Sequence, residues 1–166
     1  MIDDIYSAAV LRLAADLPHA GRLDLPHGTG ERVAKLCGSR AVVDVRIGRG
    51  GEVLAFAQDV KACALGQAAA AVVGAHAVGT DLTEVRAARD GMADMLKRGG
   101  DGPVGRFEGL RLLKPVATYP ARHASSMVAI EALAEAIEAA MSRFPTDGGP
   151  PGHENVDDRT PGAGQV

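Results

Sequence analysis

Along residues 4–17 the side chains of Ile5, Ala8, Ala9, Leu13 and Leu17 fall near one helical stripe, which predicts an amphipathic helix ending before Pro18. The stretch Pro18 to Glu31 is rich in Gly, Pro and His and reads as loop. From Arg40 to Ile47 the period falls to two, with apolar and polar residues alternating after Val42. Arg49-Gly50-Gly51 then supplies a turn, and Glu52 to Val60 alternates again. Val53, Ala55 and Ala57 are expected on one face of that second strand, and Leu54, Phe56 and Gln58 on the other. The two strands form a hairpin, with Lys35 to Gly38 at its entrance.

The period turns helical again at Ala64 to Ala77, an uncharged, Ala-rich run that predicts a nearly wholly buried helix. Thr80 or Asp81 reads as the cap of a next helix, which runs to about Lys97 and is broken by Gly99 to Gly105. Phe107 to Leu113 reads as a short helix, and Tyr119-Pro120 closes the loop after it. Ser125 or Ser126 starts a last helix, apolar at Met127, Ile130, Leu133, Ala134 and Ile137. After Phe144 the sequence is polar and full of Gly and Pro, so residues 145–166 are expected to form a disordered tail beside one domain spanning 1–144. The class is α+β: a small antiparallel sheet of about three strands with helices packed on one face.

Composition narrows what such a domain can do. A chain of 166 residues is long enough to bury one proper core. Aromatics make up only 3% and Trp is absent, so the core must be built from small aliphatic side chains packed closely. A net charge of -3 gives no basic surface for nucleic acid. No apolar run reaches the length of a bilayer span, the longest being interrupted by Gln67 and His76. The acidic opening MIDDIYSAAV is unlike a secretory signal, which sets the cytoplasm as the expected address and reduced thiols as the expected state of the two cysteines. Hydrolase and nucleotide chemistry lack their motifs: Gly28-Thr29-Gly30 has no following Lys-Ser/Thr, and there is no Gly-x-Ser-x-Gly or HExxH.

Both cysteines sit at element boundaries, Cys37 just before a strand and Cys63 just before a helix. A thiol at a helix N-terminus meets unpaired N–H groups and the positive end of the dipole, and both favour the thiolate that binds soft metals and accepts sulfur. The plainer alternative is a pair of buried structural cysteines, since free Cys packs well and these two lack CxxC spacing. Of the histidines, His19 and His27 fall in the early loop, His76 at the polar edge of the Ala-rich helix and His153 in the tail. His123, just before the last helix, is the one candidate ligand.

Taken in order, three segments resemble the NifU N-terminal/IscU/SufU scaffold family. Leu36-Cys37-Gly38-Ser39 stands where that family has Cys-Gly-Asp leading into the sheet. Cys63-Ala64-Leu65-Gly66-Gln67-Ala68-Ala69-Ala70 is similar position by position to its Cys-Ala-Ile-Ser-Gln-Ala-Ser-Ala helix start. Tyr119-Pro120-Ala121-Arg122-His123-Ala124-Ser125-Ser126 resembles the SufU-type Phe-Pro-Ala-Arg-x-x-Cys segment. The resemblance covers roughly residues 4 to 142.

The resemblance implies a non-enzymatic scaffold for iron–sulfur cluster assembly, or a carrier of sulfur or clusters. A cysteine desulfurase would deliver the sulfur and apo iron–sulfur proteins would receive the product. Cys37 and Cys63 match two of the family's three cysteines, Ser39 takes the aspartate position and Ser125 that of the third cysteine. His123, two residues earlier, is the expected substitute ligand, and Gly38 and Arg122 line the site. Iron, a cluster or zinc is the implied occupant. Two cysteines hold a [2Fe–2S] cluster only with help, from a partner chain or a second copy in a homodimer, because each iron needs two ligands. Two other functions fit the serines: a paralogue that keeps the fold as an interaction or regulatory module without metal, and a metal-free persulfide acceptor on Cys63.

Overall fold

The computed structural model describes residues 5–145. Apart from Pro145, the expected tail lies outside them. Strands β1 (Gly28–Ala34), β2 (Ser39–Ile47) and β3 (Val53–Lys61) form one antiparallel sheet in the order β1-β2-β3. Four α-helices accompany it among the described residues: α1 (Ala8–Ala14), α2 (Ala64–His76), α3 (Leu82–Arg98) and α4 (His123–Arg143). Two 3-10 segments, Gly105–Thr118 and Pro120–Arg122, join α3 to α4. The chain is α+β, as expected.

The sheet rests on α4, which packs against β1 and β2, while α2 lies beside α4 and touches β3. Helix α1 covers α2, and α3 packs on α4 and on the first 3-10 segment. Ala41, Val43, Val45 and Ile47 of β2 point into this core, together with the buried Ala-rich faces of α2 and α4. Small side chains are what let the layers approach so closely.

Part of the early stretch that reads as loop is strand. β1 pairs with β2 from Gly28↔Val45 to Ala34↔Ser39. Its sequence, GTGERVA, shows no alternation because two of its core-facing positions are glycine. A Cβ at Gly28 would land on the backbone of Ala136 and Ala140, and one at Gly30 on the backbone of Ala132 and Ala136. The strand therefore lies backbone to backbone on α4, a fit invisible to hydrophobic periodicity. Gly30→Ala is expected to cost about 3 kcal/mol, because the obstacle is main chain that cannot turn aside. Equilibrium denaturation measures it, and a midpoint equal to wild type would show that the two elements have slack.

β3 also departs from simple alternation. Ile47 pairs with Val53 and Arg46 with Ala55, so Leu54 is an extra residue at a bulge. Val53 consequently shares the core face with Phe56 and Gln58 instead of with Ala55, and Leu54 is left exposed. Gln58 is fully buried and its amide donates to the carbonyls of Pro18 and Ala70, which ties the early loop and α2 to the sheet.

Other boundaries shift for local reasons. α1 is shorter than its apolar stripe, starting where Ser7 accepts from the Val10 N–H. Asp81, and not Thr80, caps α3 by accepting from Glu84 N–H, while the buried Thr80 hydroxyl donates to Ala77 O. Phe107, Leu110, Leu113 and Val116 are all buried at a spacing of three, the period of a 3-10 helix, and they carry the expected short helix on to Thr118. Helix α4 begins at His123, two residues before the serines, which lie in its first turn.

Candidate functional site

The candidate site lies where the β1–β2 turn, the start of α2 and the start of α4 meet. Gly38 occupies the left-handed region at φ 75, which turns the chain sharply between β1 and β2 and leaves Cys37 exposed at the tip. Ser39, the first residue of β2, is buried behind it. The Ser39 Oγ stands 3.1 Å from the Cys37 Sγ and accepts from the Cys63 backbone N–H at 3.4 Å. One hydroxyl thus joins the two cysteine-bearing segments.

Cys63 is the N-cap residue of α2 and is half-buried. Its thiol lies 3.5 Å from the Ser125 Oγ. Ser125 is fully buried and donates to Arg122 O at 3.1 Å, a carbonyl that also accepts from Ser126 at 3.1 Å. Gly66 makes this approach possible. A Cβ there would sit 2.8 Å from Ser125 O and 2.7 Å from the Ala62 Cβ. The first turn of α2 can therefore lie directly on the first turn of α4.

Both thiols are shifted toward the thiolate. The Ser39 hydroxyl is the main cause at Cys37, working against burial, with smaller help from the Ser39 backbone N–H, Ser125 and the Arg122 charge. At Cys63 burial pushes the thiol up but is outweighed by the Ser125 hydroxyl and the N–H groups of Gly66 and Leu65 at the helix start. The charge of Cys37 opposes ionisation of Cys63.

Four of the residues singled out by sequence, Cys37, Ser39, Cys63 and Ser125, converge here, with Gly38 shaping the turn and Arg122 receiving the serine hydroxyls. His123 does not join them. Its Nε2 lies 3.1 Å from both Val116 O and Ala117 O, and the ring borders a cavity of about 370 Å³ with Leu96, Lys97 and Met127. The reason is helical geometry. Residues two apart on a helix project about 200° from each other, so a ring two positions before Ser125 faces the opposite side of α4. Among the described residues no group of three or more His, Cys, Asp or Glu side chains is placed to hold a metal ion. Gly66 and Ser126 lie in the family-like segments 63–70 and 119–126, but nothing in the sequence marks them as parts of the site. The close approach that requires glycine at 66 is set by α4, sixty residues further on.

The chemistry of this donor set is definite. Two thiolates are soft, strong donors, whereas two neutral hydroxyls beside them are weak ones. A resident tetrahedral zinc wants four good N, S or O ligands and does not fit. A soft cargo held through the two sulfurs, with two displaceable positions, does fit.

The chain resembles solved structures closely. A nitrogen-fixing NifU-like protein (N-terminal) from Brucella abortus is 41% identical, with a TM-score of 0.82 over 86% of this chain and 98% of that one. A putative iron–sulfur cluster assembly scaffold protein for the SUF system from Fervidobacterium islandicum shares the fold at 19% identity, with a TM-score of 0.70 over 80% of this chain and 96% of its own. A hypothetical protein matches at 23% identity with a TM-score of 0.68, over 82% of this chain and 98% of that chain. No protein-family model and no curated protein matches the chain. No helix among the described residues is long and apolar enough to cross a membrane. Identity at this level over nearly the whole of a solved relative, together with the ordered segments at Cys37, Cys63 and Ser125, shows that the chain belongs to the NifU-like N-terminal family.

Proposed function

We propose that this protein is a scaffold on which iron and sulfide are assembled into a cluster, or held in transit, between Cys37 and Cys63. The observation that carries the reading is the convergence of Cys37, Ser39, Cys63 and Ser125, residues from three separate segments, on one partly open site whose two thiols favour the thiolate. Family membership supports it, as does the shared fold of the SUF-system protein described as a putative cluster assembly scaffold. In this reading the cluster is cargo. Cys37 and Cys63 are its protein ligands, Ser39 and Ser125 are weak partners that a recipient displaces, and a second copy or partner completes the remaining iron positions. A cysteine desulfurase supplies the sulfur and apo iron–sulfur proteins take the product. His123 is left out of the ligand set because its Nε2 is turned to the Val116 and Ala117 carbonyls and no three His, Cys, Asp or Glu side chains among the described residues are placed to share an ion.

Anaerobic reconstitution with ferrous iron, sulfide and a thiol reductant tests the proposal. Wild type is expected to take up iron and sulfide in equal amounts, and Cys63→Ser to lose at least about tenfold of that uptake, a soft ligand having been exchanged for a weak one. Uptake of neither element by wild type would contradict the scaffold. If sulfur is then found on Cys63 without iron after exposure to a persulfide donor, the metal-free acceptor replaces it.

A further inference from the structure

The two thiols are not equivalent. Cys37 is exposed on a turn whose tip is Gly38 at φ 75, with open space around that glycine. Cys63 is half-buried where α2 begins, its thiol 3.5 Å from the Ser125 hydroxyl on α4, and is the less accessible of the two. Between them stands the buried Ser39 hydroxyl, 3.1 Å from the sulfur of Cys37 and 3.4 Å from the backbone nitrogen of Cys63. A sulfur donor meets the exposed thiol more readily than the half-buried one.

We infer that the two cysteines act in sequence: sulfane sulfur enters on Cys37 and is passed within the chain to Cys63, where Ser125 holds it. This rests on the scaffold reading and adds to it an order of loading. In the first step the Cys37 thiolate attacks the outer sulfur of a donor persulfide, R–S–SH. The Cys37 Sγ–S bond forms, the donor's S–S bond breaks and R–S⁻ leaves. In the second step the Cys63 thiolate attacks the outer sulfur of Cys37–S–SH. The Cys63 Sγ–S bond forms as the Cys37 Sγ–S bond breaks, and Cys37 departs as thiolate. The transferred sulfur keeps its proton and its oxidation state, so no oxidant or reductant enters.

Each hydroxyl has a part in the transfer. Ser39 stands next to the sulfur that must leave in the second step and can donate to it as its charge develops. Ser125 can turn from Arg122 O to the sulfur on Cys63, because that carbonyl keeps the hydroxyl of Ser126. Ser126 thereby releases Ser125 without leaving a buried acceptor empty.

The test loads the reduced full-length protein with one equivalent of glutathione persulfide, quenches by alkylation at intervals and maps the extra sulfur by mass. The expected course is label on Cys37 first and on Cys63 later, at the expense of Cys37. Cys63→Ser should retain its label on Cys37. Cys37→Ser should slow labelling of Cys63 by at least about tenfold, since access governs thiol exchange. Ser39→Ala, which removes the hydroxyl beside the sulfur that must leave, should slow the passage from Cys37 to Cys63 by more than it slows entry. Labelling of Cys63 at the wild-type rate in Cys37→Ser, or label that never leaves Cys37 in wild type, overturns the relay. Uptake of free iron and sulfide needs no relay, so reconstitution that succeeds while the relay fails leaves the scaffold reading intact. Failed reconstitution with an intact relay removes the scaffold alone.

Discussion

Ser39→Asp combined with Ser125→Cys is expected to turn this chain into a tight zinc binder, about 10,000-fold stronger than wild type at pH 7. A structural zinc centre supplies about 10–16 kcal/mol from four ligands, so each good ligand is worth about 3 kcal/mol, or about two orders of magnitude. Wild type offers two thiolates and two hydroxyls, and a hydroxyl contributes little beside a thiolate. The double variant offers three thiolates and a carboxylate at the same four positions. Ser39 and Ser125 already lie within 3.5 Å of the cysteine sulfurs, so the new ligands would be delivered without moving the backbone. Ser39→Asp also introduces a negative charge beside the thiols, which the bound cation compensates. Competition against a chromophoric zinc chelator measures the change. A double variant within tenfold of wild type would mean that the four positions do not share a centre.

Asp44→Ala is expected to destabilise the fold by about 3 kcal/mol, the cost of breaking a buried hydrogen-bonded charge. The carboxylate is fully buried on the sheet face away from the helices. It accepts from Arg22 Nε at 2.7 Å, from the Thr29 hydroxyl at 2.6 Å and from the Leu23 N–H at 3.0 Å. These bonds fasten the early loop across the sheet. Arg22→Ala should cost less, since the guanidinium is half exposed and water screens its share. Burial raises the Asp44 pKa, but the bonds from Arg22, Thr29 and Leu23 outweigh it and hold the group below its ordinary 3.8. As pH falls, the unfolded chain therefore takes up the proton first. The contribution of Asp44 is complete above pH 3.8 and is lost as pH drops through the lower folded value. Urea denaturation at pH 7 and at pH 3 separates the effect. The gap between wild type and Asp44→Ala should narrow at the lower pH, and an equal gap at both would mean that the charge itself contributes nothing.

The elements with a strong local signal were legible in the sequence. The β2–β3 hairpin, the buried α2 and the end of α3 at Gly99 follow from alternation, an uncharged Ala run and a left-handed cap, all written within a few residues. β1 was not legible, because its identity as a strand depends on Gly28 and Gly30 meeting the backbone of α4 about a hundred residues away. The bulge at Leu54 hid the true faces of β3 for a related reason, since one extra residue reverses a period of two. At the site, ordered motifs brought Cys37, Ser39, Cys63 and Ser125 to notice. The same motifs could not orient a side chain, and so His123, adjacent in sequence, was drawn into a set that it faces away from.

Transfer to a recipient is the decisive property of a scaffold. Protein loaded with iron and sulfide would be mixed anaerobically with an apo [2Fe–2S] ferredoxin and a strong iron chelator, and the holo-ferredoxin signal followed in time. Because only two strong protein ligands hold the cargo, transfer is expected to be prompt and to outrun free iron and sulfide, and because a scaffold hands its cluster directly to the recipient, the chelator is expected not to abolish it. Transfer that the chelator abolishes, at the rate of free iron and sulfide, would show that the site passes nothing on and would contradict the scaffold.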